Sequence, residues 1–103
     1  ADAEDEATKN FVKKYNDKFK ETPNQFAADG YDVVNAIYEG CKKAGITGDM
    51  TAEEIGKKLA DTFTSADFKI DGITGTGMTW SKDGEISKEP KGMKIKDGVY
   101  VGM

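Results

Sequence analysis

Arginine and histidine are missing from these 103 residues: all fifteen basic side chains are lysine, set against nineteen acids for a net charge of −4. An acidic chain without arginine forks has no basic footprint for phosphates or base edges, which excludes nucleic acid as a partner. Without histidine the usual proton shuttle at neutral pH and the commonest zinc ligand are both lacking, so an enzyme or a zinc site is not expected. Cysteine occurs once, and Cys41 alone forms neither an intrachain disulfide nor a cysteine-rich metal site. Set among Ile37, Tyr38 and Ala44, it reads as a small hydrophobe on a buried helix face. No apolar run approaches the ~18 residues of a membrane-crossing helix, so a soluble chain with one core at most is expected. The opening Ala1-Asp2-Ala3-Glu4-Asp5-Glu6 has no initiator methionine and no basic start, which reads as a mature, trimmed or excised piece.

Glycine is absent from the first 29 residues, whereas residues 72–102 hold seven. The front half is accordingly predicted helical and the rear is predicted to be strands and turns. Phe11, Tyr15 and Phe19 recur at i+4 steps, with Ala7 and Val12 beside them, predicting an amphipathic helix over about 4–20 whose Lys13, Lys14, Lys18 and Lys20 face water. Next, Thr22 reads as an N-cap, Pro23 as the first helical residue and Gln25 as the other half of a capping box. The helix so begun runs over about 23–44 and stops at Lys42-Lys43-Ala44-Gly45, with lysines in the last turn and glycine after it. Its apolar arc through Phe26, Ala27, Tyr31, Val33, Val34, Ile37, Tyr38 and Cys41 implies cover on more than one side. A third helix is expected over about 52–63, opened by the capping box Thr51/Glu54 and carrying Ile55, Leu59 and Phe63 on its inward stripe.

From Phe68 onward the punctuation is Asp71-Gly72, Thr74-Gly75, Gly77, Asp83-Gly84, Gly92 and Asp97-Gly98. Short runs at Gly77–Trp80 and Met93–Val101 between them predict β-hairpins. In the last run Met93, Ile95, Val99 and Val101 alternate with Lys94, Lys96 and Tyr100. A calcium loop aligned on Gly84 would need oxygens at Thr79, Ser81 and Pro90, and only Asp83 suits it, so an Asp-Gly turn is the better reading. Gly72–Gly77 lacks the following helix and Lys-Ser/Thr pair of a phosphate loop and reads as a crossover. Glu53-Glu54 sits in a first turn, where carboxylates stabilise the helix dipole and make poor general acids. Three broadly apolar helices with a few glycine-rich strands lack the sheet the second helix requires.

The string Thr22-Pro23-Asn24-Gln25-Phe26-Ala27-Ala28-Asp29-Gly30-Tyr31-Asp32 resembles the Pro-to-Tyr-Asp helix of type I periplasmic binding proteins, the leucine/isoleucine/valine-binding family of ABC transporters. Further matches follow in order over about 90 residues. Asn10–Tyr15 resembles the preceding "Phe, three residues, Tyr" helix, Ile55 and Leu59 the short helix, and Phe68 with Gly72-Ile73-Thr74-Gly75 the "Phe-x-Gly-x-Thr-Gly" stretch. Trp80-Ser81-Lys82-Asp83-Gly84 departs from that family's "Phe-Asp-x-Asn-Gly" at three places, all in a hairpin.

The resemblance implies an α/β fold: the C-terminal fragment of a two-lobed type I periplasmic binding protein, with three helices followed by short strands. Residues 1–70 would belong to the first lobe, and residues 71–103 would cross over and form the hairpin of the second. It implies no catalysis and no cofactor. What it implies instead is a substrate-binding component of an ABC importer, outside the cytoplasm, that closes two lobes on a small branched-chain amino acid and delivers it to a membrane permease. Phe26, five residues before Tyr31, would line the apolar end of the pocket, with Ala27 and Ala28 as neighbours and Tyr31-Asp32 structural. The other gripping residues would lie in upstream loops, so the chain alone is expected to bind poorly and to self-associate over its exposed faces. The alternatives are a free-standing α+β interaction module and a receptor's ligand-sensing domain with the same fold.

Overall fold

The computed structural model describes residues 5–103, as three helices followed by two antiparallel hairpins: α1 Glu6–Phe19, α2 Gln25–Ala44, α3 Ala52–Phe63, β1 Thr79–Trp80, β2 Ile86–Ser87, β3 Met93–Lys96 and β4 Val99–Gly102. Each helix begins on a side chain that accepts an otherwise unpaired first-turn N–H. Asp5 takes that of Thr8, Asn24 that of Ala27, and Thr51 that of Glu54, with the Glu54 carboxylate closing the expected capping box on the Thr51 N–H. The expected start of α1 at residue 4 lies outside the described residues.

At α2 the cap falls two residues later than the sequence predicts. Asn24 is the extended N-cap and Gln25 the first helical residue, so Pro23 precedes the helix and Thr22 closes no box with Gln25. Asparagine outranks threonine as a cap, and the buried Pro23 holds the chain extended before it. The far end follows expectation: Gly45 is left-handed at φ 66, and the N–H groups of Ile46 and Gly45 return to the carbonyls of Cys41 and Lys42. That is a Schellman closure.

One small core forms where α2, α3 and the rear segment meet. Ala36, Phe68, Ile70 and Met78 are buried, with Phe63 and Trp80 packed against them. The rings of Phe63, Phe68 and Trp80 sit 4.8–5.9 Å apart in tilted or edge-on pairs, geometry that adds to their burial. Gly40 lets α3 approach: a Cβ there would lie 2.7 Å from the Phe63 ring. Main-chain bonds between Ile70 and Met78 seat the β1–β2 hairpin on this core. The ammonium of Lys43, at the end of α2, pairs with Asp67 at 2.9 Å and bonds its carbonyl. That bond, with a second from Ser65, holds the Asp67 carboxyl below its ordinary pKa. Helix α1 joins through Phe11, whose ring lies 4.9 Å from that of Tyr31.

The β3–β4 hairpin turns at Asp97 and Gly98, both at positive φ, as a two-residue type I′ turn requires. Its register pairs Ile95 with Tyr100 and Lys96 with Val99. Cross-strand partners share a face, so Met93, Ile95 and Tyr100 lie on one side and Lys94, Lys96, Val99 and Val101 on the other. The alternation in the sequence suggested a single apolar face. The two-residue turn shifts the return strand by one position and splits that set. Nearly all of this hairpin is exposed.

The outer side of α2 is a second departure. Val33, Val34, Ile37 and Tyr38 are exposed, and Cys41 is half-buried rather than enclosed. Their positions spread over the side opposite Asp32, Ala36 and Gly40, the buried residues of this helix. The radius of gyration is 16.1 Å, against about 13 Å for a compact domain of this length.

Candidate functional site

Phe26, Ala27 and Ala28 occupy the first turn of α2, positioned by the Asn24 cap, whose Oδ1 accepts the Ala27 N–H at 3.0 Å. Phe26 is 81 % exposed. Its ring stacks on no other aromatic among the described residues. Ala27 and Ala28 are half-buried. The three therefore lie together at one helix end, with Phe26 projecting outward, and what this turn offers a ligand is apolar contact. The exposed face of Val33, Val34 and Ile37 continues from it along the helix.

On the inner side the same helix is polar at one point. Asp32 is 6 % exposed, and its carboxylate accepts the N–H groups of Ile73 at 2.9 Å and Thr74 at 2.8 Å, together with the Thr74 hydroxyl. A buried carboxylate is tolerated only when so satisfied. Asp32 is thus structural, as the resemblance implies, and Tyr31 packs on Phe11. Sequence reasoning missed Lys88. It follows β2, donates to Thr74 Oγ1 at 3.2 Å and reaches Asp29, beside Ala28, at 3.6 Å. Nothing in its spacing marks that reach, because its partners lie far away in the chain. An open groove on the β1–β2 hairpin, lined by residues from Thr79 to Lys88, contains none of Phe26, Ala27 or Ala28. Among the described residues no cluster of acidic or cysteine side chains could hold a metal ion, and no helix is long and apolar enough to cross a membrane.

The family model described as periplasmic binding protein matches residues 1–98. The chain belongs to the periplasmic binding protein family. A solved structure described as a branched-chain amino acid ABC transporter from Rhodospirillum rubrum superposes on this family member with a TM-score of 0.67 at 25% identity. The match covers 98% of this chain and 27% of that one, so the chain spans about a quarter of its structural relative. Among curated proteins none matches the sequence. The helices-then-hairpins order is that of the periplasmic binding fold, and the expectation of that fold is met over nearly the whole length.

Proposed function

We propose that this chain is the C-terminal part of the substrate-binding component of an ABC importer. It would work outside the cytoplasm and contribute one wall of a cleft that closes on a small branched-chain amino acid for a membrane permease. The observation that carries the reading is the family match over residues 1–98, joined to a fold likeness with a transporter of that class. Function then follows from what the geometry leaves open. Phe26 projects from a fixed helix end with no ring against it, so an aliphatic side chain brought there would bury both apolar surfaces. Full burial of such a group is worth about 1.5–3 kcal/mol. No bond is made or broken; affinity comes from enclosing the ligand between lobes and shifting the open and closed populations.

By itself the chain supplies only this wall, and it would bind amino acids weakly. It also exposes 7829 Å², where a compact monomer of its mass exposes about 5,700 Å². That surplus favours self-association of the isolated chain. The reading is tested by calorimetry on a chimera in which residues 1–98 replace the matching segment of the Rhodospirillum rubrum relative. Leucine, isoleucine or valine should bind the chimera and give no heat with the isolated chain. Phe26→Ala in the chimera should weaken binding about tenfold or more, the equivalent of at least 1.4 kcal/mol. A folded chimera that ignores all three amino acids would sink the assignment.

A further inference from the structure

The segment between α3 and β1 is wired to α2 along its whole length. Met78 and Ile70 exchange main-chain bonds at 2.9 and 3.0 Å. Within the loop, Asp71 accepts the Gly77 N–H at 2.8 Å, and the Gly72 N–H donates to Gly75 O at 2.8 Å. From outside, Asp32 takes the N–H groups of Ile73 and Thr74 and the Thr74 hydroxyl. Approach is so close that a Cβ at Gly72 would lie 2.5 Å from the Asp32 carboxylate. Thr74 passes the connection on: its hydroxyl oxygen accepts from Lys88 at 3.2 Å, and Lys88 returns to α2 through Asp29 at 3.6 Å. Four residues thus tie helix, crossover loop and the end of β2 into one unit. At their centre is a buried carboxylate whose hydrogen bonds cannot be exchanged for water without opening the core.

Beyond Lys88 the pattern stops. Residues 89–92 are exposed and belong to no strand. Among the described residues, no hydrogen bond or ion pair of side chains links residues 89–103 to the body before them. The Met103 N–H bonds Gly92 O, inside the terminal hairpin itself. Lys91 exerts only the weakest of the influences on Asp5. Glu89-Pro90 is stiff, because proline fixes its own φ and restricts the residue before it. Gly92 has the widest freedom.

We propose that Asp29, Asp32, Thr74 and Lys88 form a latch that makes residues 69–88 part of the helical body, and that bending between this body and the terminal hairpin is confined to residues 89–92. The boundary between moving parts then falls near residue 89 instead of 71. Pro90 acts as a short rod and Gly92 as the swivel. The meaning of this pivot for lobe closure rests on the solute-binding reading; the location of the motion does not.

Pulsed electron spin resonance on the whole chain tests it, with one label on the native Cys41 and a second at Asp83→Cys in the β1–β2 turn or Lys96→Cys in the terminal hairpin. Labelled protein is diluted into unlabelled protein so that only distances within a chain are read. The 41–83 distribution should be narrow and the 41–96 distribution at least twice as wide. Thr74→Val, which removes the hydroxyl relay but keeps the side-chain shape, should broaden the 41–83 distribution and leave 41–96 unchanged; Asp32→Ala should do so more strongly. Should Asp32→Ala unfold the chain by circular dichroism, Thr74→Val carries the test. A 41–96 distribution as narrow as 41–83, or a 41–83 distribution indifferent to Thr74→Val, overturns the proposal. Neither result depends on amino-acid binding, so a failed ligand titration and a failed latch are told apart.

Discussion

The two sides of α2 are both apolar, yet they have opposite fates. On the inner side Ala36 and Gly40 are small, and α3 with the Phe63–Phe68–Trp80 cluster comes close enough to bury them. On the outer side Val34 is 68 % and Tyr38 61 % exposed, although both residue types bury more area than alanine. Hydrophobicity therefore does not select the buried face of this helix. What selects it is whether another element of the chain reaches that face and can approach it closely. A contiguous exposed apolar face on a helix end bearing Phe26 is the mark of a surface built for contact.

The largest test of that contrast lies inside. Gly40→Val should destabilise the chain by about 1–3 kcal/mol, because the new side chain meets the Phe63 ring where even a Cβ would stand 2.7 Å away. Chemical denaturation monitored by Trp80 fluorescence measures the loss; an unchanged midpoint would mean that α3 does not seat on the inner face. A smaller effect is expected on the outer face. Val34→Lys should change stability by about 0.5 kcal/mol or less, while light scattering across concentration reports a shift toward monomer. Loss of stability equal to that of Gly40→Val would erase the distinction between the two faces.

The smallest effect concerns the inner side's polar rim. The Lys43 ammonium holds the Asp67 carboxyl below its ordinary pKa. Its folded value is thus lower than its unfolded one, and the pair's contribution is complete above the unfolded value. The contribution disappears as pH falls through the lowered folded value. Both groups are well exposed to solvent, which screens the pair, so the effect is read by titration rather than by stability. Carboxyl carbon NMR should give an Asp67 midpoint below that of an ordinary aspartate, and Lys43→Met should bring it back up. A midpoint insensitive to that substitution would remove Lys43 as the cause.

How much of this could be read in the sequence depended on how far apart the interacting residues stand. Thr51 and Glu54 are three residues apart, and their capping box and the bounds of α3 follow directly. Gly45 at the end of α2 and Asp97-Gly98 in the hairpin are local in the same way. Asn24 against Thr22 was misjudged because two competent caps flank one proline, and only the geometry of the turn decides between them. The splitting of Ile95 from Val99 and Val101 follows from the two-residue turn, once Asp97-Gly98 is placed at its centre. The outward direction of Phe26 and the exposure of Val33 and Ile37 were illegible, since amphipathic spacing says that a face seeks cover and not whether cover is present. The family resemblance supplied the position of Phe26, Ala27 and Ala28; local pattern alone would have made them a first turn like any other.

Asp32 also has a consequence for how the chain reaches its structure. Its partners Ile73 and Thr74 lie 41 and 42 residues away, whereas the helices and hairpins around them close over a few residues each. Such local elements form within microseconds. Bringing the ends of a loop of that length together costs about 3 kcal/mol of chain entropy, from the logarithmic growth of closure cost with length. Contacts of this separation are what slow a fold rich in local structure. The carboxylate on α2 is therefore a late arrival, meeting its loop after the parts it joins already exist.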